Sequence, residues 1–413
     1  MTTTNKLGTT GKPAAPPKSV APSKPLAPNA PAAASPQTAK AATASKQQVP
    51  RAGEPAPWFI SRTSTAKRFT FDTVAGRYIV MLFLGSSASP VAKAALDVIA
   101  RNAKLFDDRR ASLFGVTVDA EDEAKARLKD NIPGIRYFYD TDLAVSRLYG
   151  ATPGRNANGD VPFTAYWLLL DPSLRVMATM PLEKGDAMMQ LVARLPAPDR
   201  HAGPELWAPV LVLPRILEPA FCRRLIDLYA AQGGTDSGFM REINGRTMLV
   251  VDHVHKRRSD FVIQDEKLIA EARGRIHLRA IPEIKKAFQF EATRIERFIV
   301  ACYDGLSGGH FNPHRDNTTS GTAHRRFAMT INLDAEAYEG GDLRFPEFGS
   351  RTYRAPTGGA VVFSCSLLHE ATPVTKGTRY AFLPFLYDES GAKLREKNAG
   401  LVDERIGRYS AKP

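Results

Sequence analysis

A chain of 413 residues is longer than one hydrophobic core usually serves, so its length predicts two folded domains. A hydrophobic fraction of 43% is that of a globular protein, and no apolar run is long enough to predict a transmembrane helix. The N-terminus has no apolar segment typical of a secretory signal, and the cysteines are few and widely spaced. These features predict a cytoplasmic protein with free thiols rather than a disulfide framework.

Residues 1–52 are rich in Ala, Pro, Thr, Ser and Lys and contain no aromatic residue, a composition that predicts a disordered tail. Seven basic residues and one acidic residue precede Trp58, so residues 1–57 supply +6 of the formal net charge of +13. The lysines are dispersed, with no aromatic side chains among them to stack on bases. We therefore do not expect nucleic acid to be a partner, although the net charge is basic.

Residues 53–200 are predicted to form an α/β domain, because strand-like and helix-like segments alternate and imply a central sheet covered by helices. The first strand is an unbroken apolar run, as expected of a strand buried on both faces. The predicted elements are strand Tyr78–Leu84, helix Val91–Phe106, strand Leu113–Val118, helix Glu121–Lys129, strand Arg136–Tyr139, helix Leu143–Tyr149, strands Phe163–Leu170 and Val176–Met180, and helix Asp186–Leu195.

Three motifs in this domain carry a family resemblance: Gly53-Glu54-Pro55-Ala56-Pro57, the strand entering Gly85-Ser86-Ser87, and Leu168-Leu169-Leu170-Asp171-Pro172. With the order of the elements, they resemble the thioredoxin fold. The resemblance is closer to its peroxiredoxin branch, the alkyl hydroperoxide reductase and thiol-specific antioxidant proteins. It implies a cis-proline corner, for which Val161-Pro162 is the candidate.

The resemblance also implies a reactive cysteine in the first helical turn after the first strand, where a helix N-terminus lowers the thiol pKa. This sequence has Ser86, Ser87, Ala88 and Ser89 there, and no cysteine precedes Cys222. A serine hydroxyl lacks the nucleophilicity of a thiolate toward peroxide. We therefore expect no thiol peroxidase activity and a structural or partner-binding role for this domain.

Residues 205–395, after a short linker, are predicted to form a second domain, followed by a C-terminal tail at 396–413. Short strands separated by Gly-containing turns favour a β-sandwich or barrel over a parallel sheet. The predicted elements are strand Val210–Leu213, a helix from Pro219 to Gly233, helix Glu266–Leu278, a short helix at Pro282, and strands Ile295–Tyr303, Phe327–Leu333, Leu343–Phe345, Ala360–Phe363 and Tyr380–Tyr387.

The segment around His314 and Asp316 carries the chemistry of this domain. Residues i and i+2 of a strand point to the same side, so both side chains can face one metal ion. His369 follows after two more strand-like runs and a Gly-Gly turn. Two imidazoles and one carboxylate on one face leave the opposite coordination positions open, which is the geometry of non-haem Fe(II) oxygenases. A zinc site is the weaker alternative, because neither a thiolate nor a third histidine fits this frame.

The order of these residues resembles the Fe(II)/2-oxoglutarate-dependent dioxygenases, in particular their prolyl-4-hydroxylase-like branch, over roughly residues 209–388. An isolated His-x-Asp is common by chance, whereas the whole ordered set is highly specific. The matching motifs are His314-Arg315-Asp316, Glu339-Gly340-Gly341-Asp342-Leu343-Arg344-Phe345-Pro346, Gly358-Gly359-Ala360-Val361-Val362-Phe363, Leu368-His369-Glu370 and Pro373-Val374-Thr375-Lys376-Gly377-Thr378-Arg379-Tyr380.

The resemblance implies a double-stranded β-helix, or jelly roll, braced by helices, which makes the second domain α+β. It implies that His314, Asp316 and His369 bind Fe(2+), with no catalytic side chain beyond the metal ligands. Arg379 is expected to hold the distal carboxylate of 2-oxoglutarate, because a guanidinium offers parallel donors to a carboxylate. A turn at Lys376-Gly377 would place Arg379 at the start of its strand. Tyr303 is a further candidate for cosubstrate contact, O2 is the oxidant, and ascorbate is a candidate reductant.

Other polar residues near these motifs have simpler interpretations. His310 does not share the spacing of the ligands and is interpreted as structural, as is Arg315, which strand alternation sends to the opposite face. The basic clusters Lys256-Arg257-Arg258 and His324-Arg325-Arg326 are interpreted as solvated faces. Three further polar residues are candidates to line the cavity: Asn317, Thr330 and Asn332.

The sequence thus predicts a dioxygenase that hydroxylates an unactivated C–H bond, with a non-catalytic thioredoxin-fold domain. The substrate is a prolyl or other protein side chain, or a small molecule, and no membrane partner is expected. One alternative is a binding or sensor protein in which both domains have lost turnover, which the intact ligand set argues against. The other alternative, a thiol peroxidase, is opposed by the missing cysteine. The oligomeric state is not predicted.

Overall fold

The computed structural model describes residues 48–403. Most of the predicted N-terminal tail and the last ten residues of the predicted C-terminal tail lie outside the described residues. Within this range, no helix is both long and apolar enough to cross a lipid bilayer. Residues 48–403 form two successive sheet-based layers of structure, which pack against each other through buried side chains.

The first layer is a five-stranded sheet with neighbour order β5-β4-β3-β6-β7, in which β3, β4 and β5 are parallel and β6 and β7 antiparallel. Its central strand β3 is buried along its whole length, which explains the unbroken apolar sequence. The strands are β1 (Ile60–Ser61), β2 (Phe69–Thr70), β3 (Tyr78–Gly85), β4 (Ala111–Thr117), β5 (Ile135–Tyr139), β6 (Tyr166–Leu170) and β7 (Val176–Pro181), and the helices are α1 (Pro90–Arg101), α2 (Ala120–Ala124), α3 (Ala144–Leu148) and α4 (Gly185–Arg194).

Two sequence predictions for this layer are wrong in detail. The predicted helix Glu121–Lys129 ends early, because Lys125 caps α2 and Ala126 takes a left-handed backbone conformation with φ of 48°. The peptide bond at Val161-Pro162 is not cis, since Ile132-Pro133 is the cis peptide bond of residues 48–403. The remaining helices and strands lie within a few residues of their predicted bounds.

The serines that stand in place of the reactive cysteine have structural partners. Ser89 caps the N-terminus of α1 by accepting a hydrogen bond from the amide of Ala92. Ser87 donates its hydroxyl and its backbone N–H to the fully buried carboxylate of Asp122, which also accepts a hydrogen bond from Thr117. This loop is therefore a closed polar network without a nucleophile.

The second layer contains two sheets. The larger has the path β14-β24-β17-β23-β15-β13-β9, with β8, β18 and β21 attached; the smaller has the order β12-β16-β22-β19-β20. The remaining strands, β10 and β11, form a separate hairpin. The strands are β8 (Leu211–Leu213), β9 (Thr235–Asp236), β10 (Phe239–Ile243), β11 (Arg246–Val250), β12 (Lys256–Arg257), β13 (Ser259–Val262), β14 (Arg294–Glu296), β15 (Ile299–Asp304), β16 (His310–His314), β17 (Phe327–Asn332), β18 (Tyr338–Gly340), β19 (Leu343–Arg344), β20 (Thr352–Tyr353), β21 (Ala360–Ser364), β22 (His369–Ala371), β23 (Val374–Phe382) and β24 (Phe385–Tyr387).

Residues of both sheets pack in the same hydrophobic clusters, so the sheets face each other as in a jelly roll. The helices cover the outer face of the larger sheet, where Val300 and Phe382 pack against them. The alternate residues Ala301 and Tyr303 of β15 point to the interior between the sheets. The helices are α5 (Pro219–Gln232), α6 (Glu266–Arg279), α7 (Ile281–Phe288) and α8 (Glu389–Lys397).

Three predicted features of this layer differ in the structure. The single predicted strand Tyr380–Tyr387 is divided between the end of β23 and β24, with no strand at residues 383–384. The single predicted strand Ile295–Tyr303 is divided into β14 and β15 at Arg297, whose φ is 70°. The predicted turn at Lys376-Gly377 is wrong, because both residues lie inside the nine-residue strand β23, paired with β18. Arg379 therefore occupies the middle of a long strand, where its backbone is held by pairing with Tyr303 of β15.

Candidate metal centre

Three side chains converge where the smaller sheet faces the larger one. His314 ends β16 and His369 begins β22, and these two residues are direct cross-strand partners. Asp316 follows two positions after His314, as the strand period requires. The ligating atoms of His314, Asp316 and His369 all lie within 4.8 Å of one another. The Nε2 atoms of His314 and His369 lie 3.6 Å and 3.3 Å from the Asp316 oxygens, distances compatible with one shared ion.

Both imidazoles are oriented by backbone carbonyl groups. Nδ1 of His314 lies 2.8 Å from the carbonyl oxygen of Asn312, and Nδ1 of His369 lies 3.0 Å from that of Leu367. Each Nδ1–H therefore donates a hydrogen bond to a backbone carbonyl. Each Nε2 is left with a free electron pair that faces Asp316. Such outer hydrogen bonds fix the tautomer that a metal-binding histidine needs.

The protonation states also suit a metal ion. Burial, followed by the proximity of His369, lowers the pKa of His314 to about 4. Burial alone would raise the pKa of Asp316, but the adjacent imidazoles outweigh it and hold that pKa well below its usual range. At neutral pH His314 is therefore neutral and Asp316 ionised, which are the forms that coordinate a cation.

Arg379 lies on the opposite sheet and faces a cavity of about 60 Å³ that it shares with the three candidate ligands. The side chain is only 2% exposed, and its Nε and Nη1 atoms have no hydrogen-bond partner among the described residues. Buried donors without partners are costly, so they indicate a missing acceptor. A carboxylate fits this requirement, because it accepts two hydrogen bonds from one guanidinium and neutralises its charge. The distal carboxylate of 2-oxoglutarate is such a group.

Tyr303 lines the same cavity. It is buried, pairs with Arg379 across β15 and β23, and its ring lies 4.8 Å from the Arg379 guanidinium carbon. Its hydroxyl accepts a hydrogen bond from Arg258 at 3.3 Å. Arg258 is in turn held by Asp260 at 2.6 Å. The cavity wall opposite the metal ligands is therefore a fixed array of two arginines and one tyrosine.

The close approach of Arg379 to the ligands depends on Gly341. This residue has a φ of +67°, and a Cβ atom there would lie 2.7 Å from Cγ2 of Val374 and 3.2 Å from Cδ of Arg379. A side chain would therefore be strained and would press on the Arg379 stem. The predicted Gly340-Gly341 pair thus has a steric role at the site as well as a turn role.

The interpretation of the basic clusters as solvated faces is wrong for most of their members. Lys256, Arg258, His324 and Arg325 are each at most 7% exposed. The carboxylate of Asp260 pairs with Arg258, and that of Glu296 with both His324 and Arg325. The sequence did contain a signal for the first pair, because Lys256, Arg258 and Asp260 occupy alternate positions and the acidic residue can compensate the basic ones. Two cations and an acid at spacing i, i+2, i+4 indicate one compensated face.

The other candidate residues occupy different places. Nδ1 and Nε2 of His310 lie near the carbonyl oxygens of Gly308 and Val254, and the ring does not join the three ligands. Thr330 lines the small cavity, and Asn317 lines the larger cleft outside it. Asn332 donates to the carbonyl of Ala355 in the interior.

Each of the two layers matches a different known protein family. The model of the 2OG-Fe(II) oxygenase superfamily matches residues 298–387, and that of the AhpC/TSA family matches residues 52–166. A PKHD-type hydroxylase from Saccharophagus degradans is 30% identical over 158 residues, which cover 36% of this chain and 68% of that protein. The chain belongs to the PKHD-type hydroxylase family. The predicted oxygenase and peroxiredoxin-like resemblances, and with them the predicted fold class, are confirmed.

Other similar proteins match shorter parts. A PKHD-type hydroxylase from Synechococcus is 31% identical over 124 residues, covering 26% of this chain, so the chain spans about half of that relative's length (54%). A solved prolyl hydroxylase from Trichoplax adhaerens, in complex with a peptide fragment of hypoxia inducible factor, is 19% identical with a TM-score of 0.36; the match covers 45% of this chain and 85% of that chain. The cofactor and cosubstrates of the oxygenase family are Fe(2+), 2-oxoglutarate and O2.

Proposed function

We propose that this PKHD-type family member is an Fe(2+)- and 2-oxoglutarate-dependent hydroxylase that acts on an unactivated C–H bond of a polypeptide side chain, prolyl or other. The observation that carries the proposal is the buried Arg379 guanidinium, whose Nε and Nη1 have no acceptor among the described residues and which faces the same cavity as His314, Asp316 and His369. Three candidate metal ligands alone would fit several chemistries. A buried cation beside them with two unpaired nitrogens favours an anionic cosubstrate as well.

The roles of the residues follow from their positions. His314, Asp316 and His369 would hold the metal on one side only, which leaves positions for a chelating cosubstrate and for dioxygen. Bound iron with 2-oxoglutarate supplies the oxidation, in which dioxygen converts 2-oxoglutarate and a C–H group into succinate, carbon dioxide and a C–OH group. Arg379 would fix the far end of the cosubstrate, and Tyr303 with Arg258 would maintain the shape and polarity of its pocket.

The first layer contributes no thiol chemistry to this proposal. The peroxiredoxin-like fold is present, but the position of the reactive cysteine is part of the serine network around Asp122. The three cysteines are free, and Cys222 and Cys365 are buried in the oxygenase layer. Burial raises the pKa of the Cys222 thiol to about 11, which opposes thiolate chemistry at neutral pH.

The test is succinate release from 2-oxoglutarate by the iron-loaded chain, together with intact-mass analysis of a treated lysate for species that gain one oxygen. His369→Ala should reduce succinate release by about a hundredfold or more, because it removes a ligand to the metal. His277→Ala is the matched control, since His277 is exposed on α6 and far along the chain from the site. Equal loss in both variants, or no release by the unaltered chain, would contradict the proposal and favour a silent binding protein.

A cytoplasmic location is part of the same proposal, because free thiols suit a reducing compartment. Ascorbate is proposed as the reductant that maintains ferrous iron between turnovers. Its addition should raise the number of turnovers before inactivation without changing the initial rate.

A further inference from the structure

The metal centre opens into a cleft whose walls come from both layers of the molecule. The cleft has a volume of about 650 Å³, against about 60 Å³ for the inner cavity, and both are lined by Phe311, His314 and Asp316. The peroxiredoxin-like layer supplies Trp58 through Ile60, Arg68, Thr70, Asp72 and Thr73. The oxygenase layer supplies β10, the region around His255 and the segment following His314.

The peroxiredoxin-like layer is firmly fixed in this position. Arg315, which lies between two of the candidate ligands, donates to Asp72 at 2.8 Å and to Glu347 at 2.9 Å. Its guanidinium carbon also lies 4.2 Å from the centre of the Trp58 ring. On the other side, Leu368, next to His369, packs inside the hydrophobic cluster of the peroxiredoxin-like layer. The wall that this layer presents to the cleft is therefore built into the frame of the metal site.

The floor of the cleft is aromatic close to the metal. The ring of Phe311 stacks on that of His314, with centroids 3.5 Å apart, and the ring of His255 lies 4.5 Å from that of Phe239. At the rim, Trp58 is 52% exposed. Trp58 lines the cleft, so the uncovered part of its ring is available to an apolar group of a ligand.

The uncompensated charge of the cleft is positive. Five arginines and three carboxylates line it, and one of the carboxylates is Asp316, which the metal would neutralise. Arg315 is compensated by Asp72 and Glu347, and Arg325 by Glu296, while burial lowers the pKa of Lys256. Among the described residues, Arg68 on one wall and Arg241 on the other are exposed and have no acidic partner. The arginines are Arg68, Arg241, Arg297, Arg315 and Arg325, and the other carboxylates are Asp72 and Glu242.

One wall also offers backbone hydrogen bonds. Five consecutive residues, Gly238 to Glu242, line the cleft, so β10 faces it along an edge rather than with one face. Within residues 48–403 the only strand paired with β10 is β11, so its other edge has no strand partner, although the carbonyl oxygen of Gly238 just before it accepts a hydrogen bond from Lys256. An open strand edge suits an extended polypeptide better than a small molecule.

From these observations we propose that the peroxiredoxin-like layer is half of the substrate site, and that the site selects an extended polypeptide segment carrying acidic side chains. An apolar part of the segment would lie on the aromatic floor near the metal, while its carboxylates would reach Arg68 on one wall and Arg241 on the other. The inference rests on the proposed hydroxylase function. It also argues against the chain's own N-terminal segment as substrate, because that segment is basic.

The test uses the full chain loaded with Mn(2+) and 2-oxoglutarate, and three fluorescent peptides of about a dozen residues. The peptides share an apolar, proline-containing centre and differ in flanks of Asp, Ser or Lys. Fluorescence anisotropy at low salt should show the Asp-flanked peptide binding about tenfold more tightly than the Ser-flanked one. Equal binding of these two peptides, or preference for the Lys-flanked peptide, would overturn the proposal.

Variants assign the selectivity to the two walls. Arg68→Glu and Arg241→Glu should each weaken binding of the Asp-flanked peptide about tenfold and shift preference toward the Lys-flanked one. Lys104→Glu is the matched charge reversal, because Lys104 is exposed on the same layer as Arg68 and lies outside the cleft. The shift in preference distinguishes a lost contact from misfolding. If Arg68→Glu behaves like Lys104→Glu, the peroxiredoxin-like wall has no part in selection and the proposal fails.

The outcome is separable from that of the proposed function. Anisotropy requires no turnover, so it reports on the cleft even if succinate is never released. Calorimetric titration of the Mn(2+)-loaded chain with 2-oxoglutarate reports on the inner cavity. Selective peptide binding without 2-oxoglutarate binding would contradict only the hydroxylase, and succinate release without selective peptide binding would contradict only this inference.

Discussion

At the scale of single residues, the proposed role of Arg379 in holding 2-oxoglutarate can be tested directly. Arg379→Gln removes the charge and the paired donors of the guanidinium, so it should weaken 2-oxoglutarate binding by roughly 10- to 100-fold, the effect of one or two charge-assisted hydrogen bonds. Mn(2+) affinity should change little, since Arg379 is not among the grouped ligands. Titration calorimetry of each ligand in turn measures both effects.

Lys376→Gln provides the control for that experiment. Lys376 lies on the same strand β23, but its side chain is 76% exposed and pairs with Glu339 at the surface. Loss of a surface pair should leave 2-oxoglutarate binding unchanged. A similar affinity in both variants would show that Arg379 does not hold the cosubstrate.

The sequence identifies those residues whose spacing follows from local geometry, such as the two-residue period of a strand. His314 and Asp316 are two positions apart on a strand end, and the order of motifs leads on to His369 and Arg379. The sequence does not identify Arg258 as a buried residue, because the residue type is the same for an arginine in solvent and for one buried with its counter-ion. Only the compensating Asp260 two positions later distinguishes the two cases.

At the scale of elements, the turn before β19 determines how closely β23 approaches the metal site. Gly341→Ala should lower the free energy of unfolding by about 1–3 kcal/mol, because the residue has a φ of +67° and its Cβ would meet Val374. It should also weaken 2-oxoglutarate binding, since that Cβ would lie 3.2 Å from Cδ of Arg379. Urea unfolding and calorimetry measure the two effects.

Gly274→Ala is a control for which the expected change in unfolding free energy has the opposite sign. Gly274 lies inside α6, its φ is not positive, and a Cβ there would meet nothing within 4 Å. Alanine should therefore stabilise the helix by about 0.5–1 kcal/mol and leave 2-oxoglutarate binding unaffected. Destabilisation of equal size in both variants would mean that the local geometry assigned to Gly341 is incorrect.

Most elements could be predicted from the sequence because hydrophobic periodicity and Gly or Pro breaks are local signals. The long apolar run of β3 and the Gly233 end of α5 are examples. The break between β14 and β15 could not be predicted, because Arg297 takes a left-handed conformation that its residue type does not favour. At this position the strand partner changes, because β14 pairs with β24 and β15 pairs with β23. That change of partner is set by the tertiary structure and not by the local sequence.

At the scale of the whole molecule, the sequence predicts two domains but not that they share a cleft. Asp72 and Arg315 are 243 positions apart, and neither lies in a motif that indicates the other. The interpretation of Arg315 as structural, made from strand alternation, gave its direction but not its partner. Alternation describes which side of a strand a residue occupies, whereas the partner on that side depends on how separate domains pack.

Arg315 gives a direct test of this packing. Arg315→Met keeps the apolar stem of the side chain but leaves Asp72 and Glu347 without their cation in a buried interface, where Arg315 itself is 7% exposed. Removing one partner of a buried ion pair typically costs about 3–5 kcal/mol. We therefore expect a matching loss of unfolding free energy, with faster hydrogen exchange in Phe71–Val74 and weaker metal binding, because Arg315 lies between His314 and Asp316.

Arg224→Met is the control for this last prediction, since Arg224 also pairs with a glutamate, Glu271, but both side chains are exposed, by 49% and 39%. A partly solvated pair contributes about 0–1 kcal/mol, so the control should unfold almost as the unaltered chain does. A double-mutant cycle with Asp72→Asn then isolates the contact between the layers, because a coupling energy appears only if the two side chains interact. Additive effects, or equal stability of Arg315→Met and Arg224→Met, would show that the peroxiredoxin-like layer is not fixed to the metal site through Arg315.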